Sequence, residues 1–363
     1  MTHLIVDAHQ DLAWNMLAFG RDYTRSVLET RRLEAGGVTP QFNGDSLLGW
    51  PEYQQGNVAI IFSSLYVAPQ RCAMGDWDTQ AYATFEQARR NCLAQMDAYH
   101  RLVGEHPDRF CLIRSQAELE SHLALWDQPV PATGRPVGLV LLMENAEGVR
   151  APAELGEWWE LGLRIIGPAW AGTRFCGGTH EPGPLTRDGH ALLDVMAEIG
   201  FTLDLSHMDR EAALQALDRY PGPLIASHAN PLALLKSSHS NRHLSDEVID
   251  AIFERDGVVG VVPYNPFLKA GWSEKDGRAA VSLQNILDAI DYYCQRAGDA
   301  LHVGIGSDFD GGFGLQRVPA GIDSIAELQK LAPILEQRGY NPSDQAAIFG
   351  GNWIRHLRRA LPR

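Results

Sequence analysis

Eight short apolar runs recur along this chain, and amphipathic stretches separate them. They read "LIVDAH" (4–9), "VAIIFSSLYV" (58–67), "VGLVLLMEN" (137–145), "LRIIGPAW" (163–170), "FTLDLSH" (201–207), "PLIASHA" (223–229), "VVGVVPY" (258–264) and "HVGIGSDFD" (302–310). Their apolar residues are nearly continuous, as in strands buried on both faces of a parallel sheet. The intervening stretches carry helical spacing, for example "TFEQARRNCLAQMDAYHRLV", "GHALLDVMAEIG", "DREAALQALDRY", "SDEVIDAIFERDG" and "SLQNILDAIDYYCQRAG". Several begin at Ser or Asp and end at Gly, residues that cap helices. Eight strands alternating with helices predict a (β/α)8 TIM barrel, an α/β fold. With 363 residues the chain accommodates one such barrel, so a single domain over residues 1–363 is expected.

Two segments interrupt the alternation. Residues 20–56, with Gly36, Gly37, Gly44 and Pro51, read as a long loop or lid after the first strand. Residues 171–188, "AGTRFCGGTHEPGPLTRD", read as another long loop after the fourth. In a barrel both overhang the C-terminal face, where active sites are built. The closing "SDQAAIFGGNWIRHLRRALPR" reads as helices with a solvated basic face.

Composition narrows the partners. Thirty-one Lys and Arg against 45 Asp and Glu give a formal net charge of −14, which argues against nucleic acid and against adhesion to an anionic membrane. The N-terminus lacks the pattern of a secretory signal, and no long apolar run predicts a membrane span. The five cysteines, Cys72, Cys92, Cys111, Cys176 and Cys294, are scattered without a CxxC pair. They read as reduced thiols in a reducing, cytoplasmic compartment.

Chemistry-bearing side chains collect at the ends of the predicted strands. The first ends in His9-x-Asp11, the third in Glu144, the fifth in His207, the sixth in His228 and the eighth in Asp308-Phe-Asp310. Imidazole nitrogen and carboxylate oxygen suit zinc and related divalent ions. Three histidines and three carboxylates suffice for two ions about 3.5–4 Å apart. Singly, each of these residues is more commonly a hydrogen-bonded core or capping group; their shared position at strand ends favours metal. Asp7, inside the first strand, is read as a supporting or structural residue, and Asp310 as a supporting or turn residue. His3, His100, His122, His190 and His356 are read as surface or packing residues. His302 starts its strand, at the end away from the site. The stretch "GIGSDFDGG" is not G-x-G-x-x-G and does not open a βαβ unit, which excludes a dinucleotide reading.

The motifs "DAHQDLAW", "MENAEG", "LDLSHMD", "ASHAN", "RHLSDE" and "VGIGSDFDGG", in this order, resemble the membrane (renal) dipeptidase family, peptidase family M19. The resemblance runs from about residue 5 to "GGNWIR" near 350. It implies a binuclear zinc peptidase on a TIM barrel, acting on dipeptides, C-terminal D-residues included, through a hydroxide shared by two zinc ions. By residue match, His9 and Asp11 would bind one zinc, His207 and His228 the other, and Glu144 would bridge them. Arg242 matches the arginine that holds the substrate carboxylate, and Asp308 the acid that moves the proton. The family also implies a homodimer. One departure stands out: Trp170 occupies the place of a family histidine that contacts the substrate carbonyl. An indole N–H donates a hydrogen bond but carries no proton in catalysis. Two readings stand side by side: Trp170 simply walls the pocket, or Arg174, four residues on, is a candidate substitute donor. Two rival readings remain at this stage: another amidohydrolase acting on a lactam, lactone or phosphoester, and a metal-binding barrel without peptidase activity.

Overall fold

The computed structural model describes residues 2–73, 75–129, 134–235 and 240–363. Eight parallel strands close into a barrel: β1 (Ile5–Gln10), β2 (Val58–Leu65), β3 (Val137–Met143), β4 (Leu163–Ile166), β5 (Thr202–Asp204), β6 (Leu224–Ala226), β7 (Val258–Val261) and β8 (Val303–Ile305). Each pairs with its sequence neighbour, and β1 pairs with β8 at Asp7 and Ile305 to complete the ring. Every residue of β1, β2 and β3 is buried, as the continuous apolar runs require.

Several strands are shorter than their apolar runs. β5, β6 and β8 each hold three residues, and the chain then leaves the sheet. The backbone enters the left-handed region at His207 (φ 65°) and Asp308 (φ 56°), which ends pairing just where the polar side chains begin. Backbone strain at non-glycine residues is held in place by its surroundings, and it clusters at functional sites.

Residues 20–56 are not one loop. They contain helices Val27–Glu34, Thr39–Phe42 and Trp50–Gln55. Asp310 fastens this insertion to the end of β8. Its carboxylate accepts from Leu47 N (2.8 Å), Ser46 Oγ (2.7 Å) and Tyr23 OH (3.1 Å), and pairs with Arg21 at 3.1 Å. Asp310 is therefore a structural tie. Asp7 is structural as well, accepting from Gln10 Nε2 (2.5 Å), Ser307 N (2.6 Å) and Ser307 Oγ (2.5 Å).

Residues 171–188 are also not a plain loop. They fold into an antiparallel hairpin of Cys176–Gly178 with Glu181–Leu185. Glycine and proline conceal its alternation from the sequence. One further strand, Phe110–Leu112, runs beside the first half of β3 and is too short to register as an apolar run.

Capping follows the expected chemistry. Thr84 and Ser115 accept from the third backbone N–H of their helices, and Leu283–Ala297 runs from a Ser282 capping box to Gly298 in the left-handed conformation. The basic residues of the last helix, Asn352–Ala360, are ion-paired: Arg358 with Glu120, Arg359 with Asp256. Its opposite face carries Trp353, whose indole donates to Ile305 O at 3.0 Å. A Cβ on Gly304 would come within 2.2 Å of that indole, so this position requires glycine.

His122 and His356 are packed, as expected, with partners Ala59 O and Thr202 Oγ1. Burial, reinforced by the Arg355 charge, pushes His356 down to about 4. The folded state thus holds this imidazole neutral, whereas the unfolded chain protonates near 6.5. The contribution is complete above pH 6.5 and is lost as pH falls toward 4. By linkage it has fallen by about 2 kcal/mol at pH 5. His356→Gln is expected to show a flatter fall in melting temperature between pH 7 and pH 5 than the wild type. Parallel curves for the two proteins would contradict this assignment.

Candidate metal centre and substrate cavity

Six side chains from five strand ends meet on the C-terminal face of the barrel. Glu144, following β3, lies at the middle. Its Oε1 is 3.0 Å from His207 Nε2, 3.3 Å from His228 Nε2 and 3.7 Å from His9 Nε2. His9 Nε2 is also 3.7 Å from Asp11 Oδ1. Three groups of possible ligand atoms result: His9, Asp11 and Glu144; Glu144, His207 and His228; His9, His228 and Asp308. Within each group all ligand atoms lie within 4.8 Å of one another. His9 Nε2 is buried with no hydrogen-bond partner among the described residues. A buried imidazole nitrogen facing carboxylates without a partner is what a ligand to a divalent cation looks like. The donor set therefore fits zinc.

Neighbouring side chains aim these ligands. His228 Nδ1 is 2.8 Å from Ser227 Oγ, which donates to Asp204 Oδ2 at 2.5 Å. With Nδ1 as the donor in this chain, Nε2 keeps its lone pair for the cluster. Thr179 Oγ1 meets His207 Nδ1 at 2.9 Å and plays the same part there. Ser64 Oγ donates to Asp11 Oδ1. Sequence reasoning did not single out Asp204, Ser227, Thr179 or Ser64. Asp204 and Ser227 stand close in sequence to the ligand histidines. Thr179 lies in the hairpin, and nothing local marks it.

Burial and crowding redistribute protons here. Burial, with the Arg242 charge, pushes His207 down to about 3; burial, with His9 and Arg242, holds His228 well below its usual range. Both are thereby neutral, the ligating form. Burial would raise Glu144, but the His9 charge first, and then the close approach of His207 and His228, hold it well below the ordinary carboxyl range. Burial would lower His9, but Glu144 and Asp11 hold it well above 6.5. Burial and the nearby Asp11 and Glu144 carboxylates outweigh His9 and raise Asp308 well above its ordinary value. Protons bound to such acids and imidazoles are displaced when a divalent cation binds. Gly311 makes room for Asp308: a Cβ there would stand 2.1 Å from Asp308 Oδ1.

Two adjoining hollows open over the cluster, of about 410 and 550 Å³, sharing Trp170, His207, Tyr264 and Asp308. The first also holds Asp11 and Glu144. The second holds Arg242, His243 and Phe267. Arg242 is buried, donates to His228 O at 2.7 Å and stacks over Phe267 at 5.4 Å. Trp170 walls both hollows, its ring 6.0 Å from His207 and edge-on to Tyr66 at 5.4 Å. Arg174 does not substitute for a carbonyl-contacting histidine. Its guanidinium donates to Val149 O, packs on Phe85 and Phe175, and lines a different hollow. The hairpin carries it away from the cluster.

A closed (β/α)8 barrel that gathers three imidazoles and three carboxylates beside a buried arginine defines a metal-dependent hydrolase. The model of the membrane dipeptidase family, peptidase family M19, matches residues 1–361. The chain belongs to that family, the zinc-dependent peptidases that hydrolyse peptide bonds. A dipeptidase of Aspergillus oryzae named aclJ is 27% identical over 363 residues, covering 97% of this chain and 77% of that protein. The crystal structure of a metallopeptidase from Rhodobacter sphaeroides, with a phosphinate mimic of L-Ala-D-Ala, superposes with a TM-score of 0.78 at 26% identity, covering 99% of this chain and all of that one. The crystal structure of an M19 metallopeptidase described as dipeptidase AC gives 0.77 at 26% identity over the full length of both chains. Among the described residues no helix is long and apolar enough to cross a membrane.

Proposed function

We propose that this chain hydrolyses dipeptides with two zinc ions, His9 and Asp11 holding one, His207 and His228 the other, and Glu144 bridging. The observation that carries this reading is that Glu144 belongs to two ligand groups at once, one toward each pair. Ions bound there would acidify water and polarise the scissile carbonyl. Asp308, at the same cavity wall, takes the proton from the attacking water and delivers it to the leaving amine. Arg242 receives the C-terminal carboxylate of the substrate; its fork suits that group, and its burial closes the pocket to longer peptides. Trp170 walls the site and excludes water, with no part in proton transfer. The reading extends to a C-terminal D-residue, supported by the ligand of the Rhodobacter sphaeroides relative. The continuous core supports one domain over residues 1–363.

The test is steady-state hydrolysis of a panel of L–L and L–D dipeptides by zinc-loaded protein. Turnover is expected, and Asp308→Asn should lower kcat by about 10²–10⁴-fold, the usual worth of a positioned acid–base group. Turnover no higher than that of Asp308→Asn across the whole panel refutes the reading and directs attention to other amides and lactones.

A further inference from the structure

A dipeptide bears an ammonium at one end and a carboxylate at the other. Arg242 stands in the hollow with Phe267, and the metal cluster borders both hollows. The far hollow carries a fourth carboxylate, Asp78, beside Trp14 and Tyr66. Its three other acids, Asp11, Glu144 and Asp308, all belong to the possible ligand groups. Asp78 does not, and its Oδ1 is buried without a hydrogen-bond partner among the described residues. A buried carboxylate oxygen without a partner is costly unless a cation or donor completes it, and the Asp78 side chain lines the hollow from which one would come.

The surrounding chain fixes this side chain in place. Asp78 follows Trp77, whose ring stacks on Phe19 (5.2 Å) and Phe42 (4.7 Å) and meets Trp14 edge-on (6.3 Å). After it, Gln80 is buried and bonded through its side chain to Gln95 and through its carbonyl to Asn91. The turn is thus clamped on both sides of Asp78. Burial raises the Asp78 carboxyl, against the Gln80 amide and the Trp14 indole, and an ammonium beside it would reverse that rise.

We infer that Asp78 is a specificity-determining residue, receiving the free α-ammonium of the substrate in the hollow that adjoins the carboxylate subsite at Arg242. An anchor at each end, with the scissile bond over the cluster between them, selects substrates one peptide bond long. This inference rests on the dipeptidase reading.

The experiment pairs each dipeptide with its des-amino and N-acetyl analogues, all keeping the free carboxylate, for wild type, Asp78→Asn and Asp78→Glu, with zinc content measured for each. Wild type should prefer the free amine. Asp78→Asn should lower kcat/KM for the free-amine substrate by roughly 10- to 100-fold, mainly through KM, the usual loss for one charge-assisted hydrogen bond. Its effect on the two analogues should stay under about 3-fold, and Asp78→Glu should restore part of the preference. Equal losses on all three substrates, or no loss on any, overturn the inference while wild-type turnover leaves the dipeptidase reading standing. A wild type that prefers the amine-free analogues also overturns it, whatever the variants' folding. Absence of any wild-type dipeptide turnover overturns both.

Discussion

Glu144→Ala should leave dipeptide hydrolysis at least about 10³-fold below wild type and should reduce bound zinc measurably. Glu144 Oε1 lies within 3.7 Å of the Nε2 of all three cluster imidazoles. Replacing it by alanine takes a carboxylate out of two ligand groups together. In the proposed two-ion assignment the remaining donors are then His9 with Asp11 on one side and His207 with His228 on the other, and the group without Glu144, His9 with His228 and Asp308, can hold one ion at most. A stable zinc site takes three or four protein ligands. His207 and His228 Nε2 also lie 2.9 Å apart, and both point at the same Glu144 oxygen, so the carboxylate is the group on which the two imidazoles converge. Metal analysis of the purified variant, alongside kcat/KM, distinguishes the cases. Wild-type zinc content with activity above a tenth of wild type would rule out a bridging role.

The second large effect belongs to Arg242. Arg242→Met keeps most of the side-chain volume and removes the fork, so kcat/KM for free dipeptides should fall by about 10²–10³-fold, corresponding to the few kcal/mol carried by a buried charge pair that loses one partner. The loss should appear chiefly in KM, and it should nearly vanish for dipeptide amides, which lack the carboxylate. Because Arg242 also donates to His228 O, the methionine variant leaves that carbonyl unpartnered. Zinc content and the amide substrates therefore serve as the control: a variant equally poor on acid and amide would show that Arg242 supports His228 and does not receive the carboxylate. Arg242→Lys should recover part of the charge but not the two-pronged geometry.

Much of this site is legible before folding. A strand buried on both faces writes itself as a continuous apolar run, and a side chain that breaks the run at its end belongs to the barrel face. His9, Asp11, Glu144, His207, His228 and Asp308 all announce themselves in this way, and all six meet in one cluster, with Asp11, Glu144, His207 and Asp308 lining the cavity over it. Asp310 shows the limit of the same signal. It stands two residues from Asp308, yet its carboxylate turns to Leu47, Ser46 and Arg21 and ties down the insertion after β1. Arg174 fails for a related reason: proximity in sequence to Trp170 suggested a shared site, and the hairpin that follows sends the guanidinium to Val149.

The sequence by itself determined the barrel, the strand ends and the identity of the cluster residues, because burial on both faces and the end of that burial are local properties of a strand. The tertiary structure alone decided which atoms meet. Asp7 pairs with Ile305 across 298 positions, and that closure is what brings His9 to Asp308 and His228. It also decided the supporting bonds of Ser227 and Thr179, the turning of Arg174, and the placement of Asp78 in the far hollow. Hydrogen bonds and charge pairs between distant segments depend on side-chain direction to within a few tenths of an ångström, and no periodicity in the chain encodes that distance.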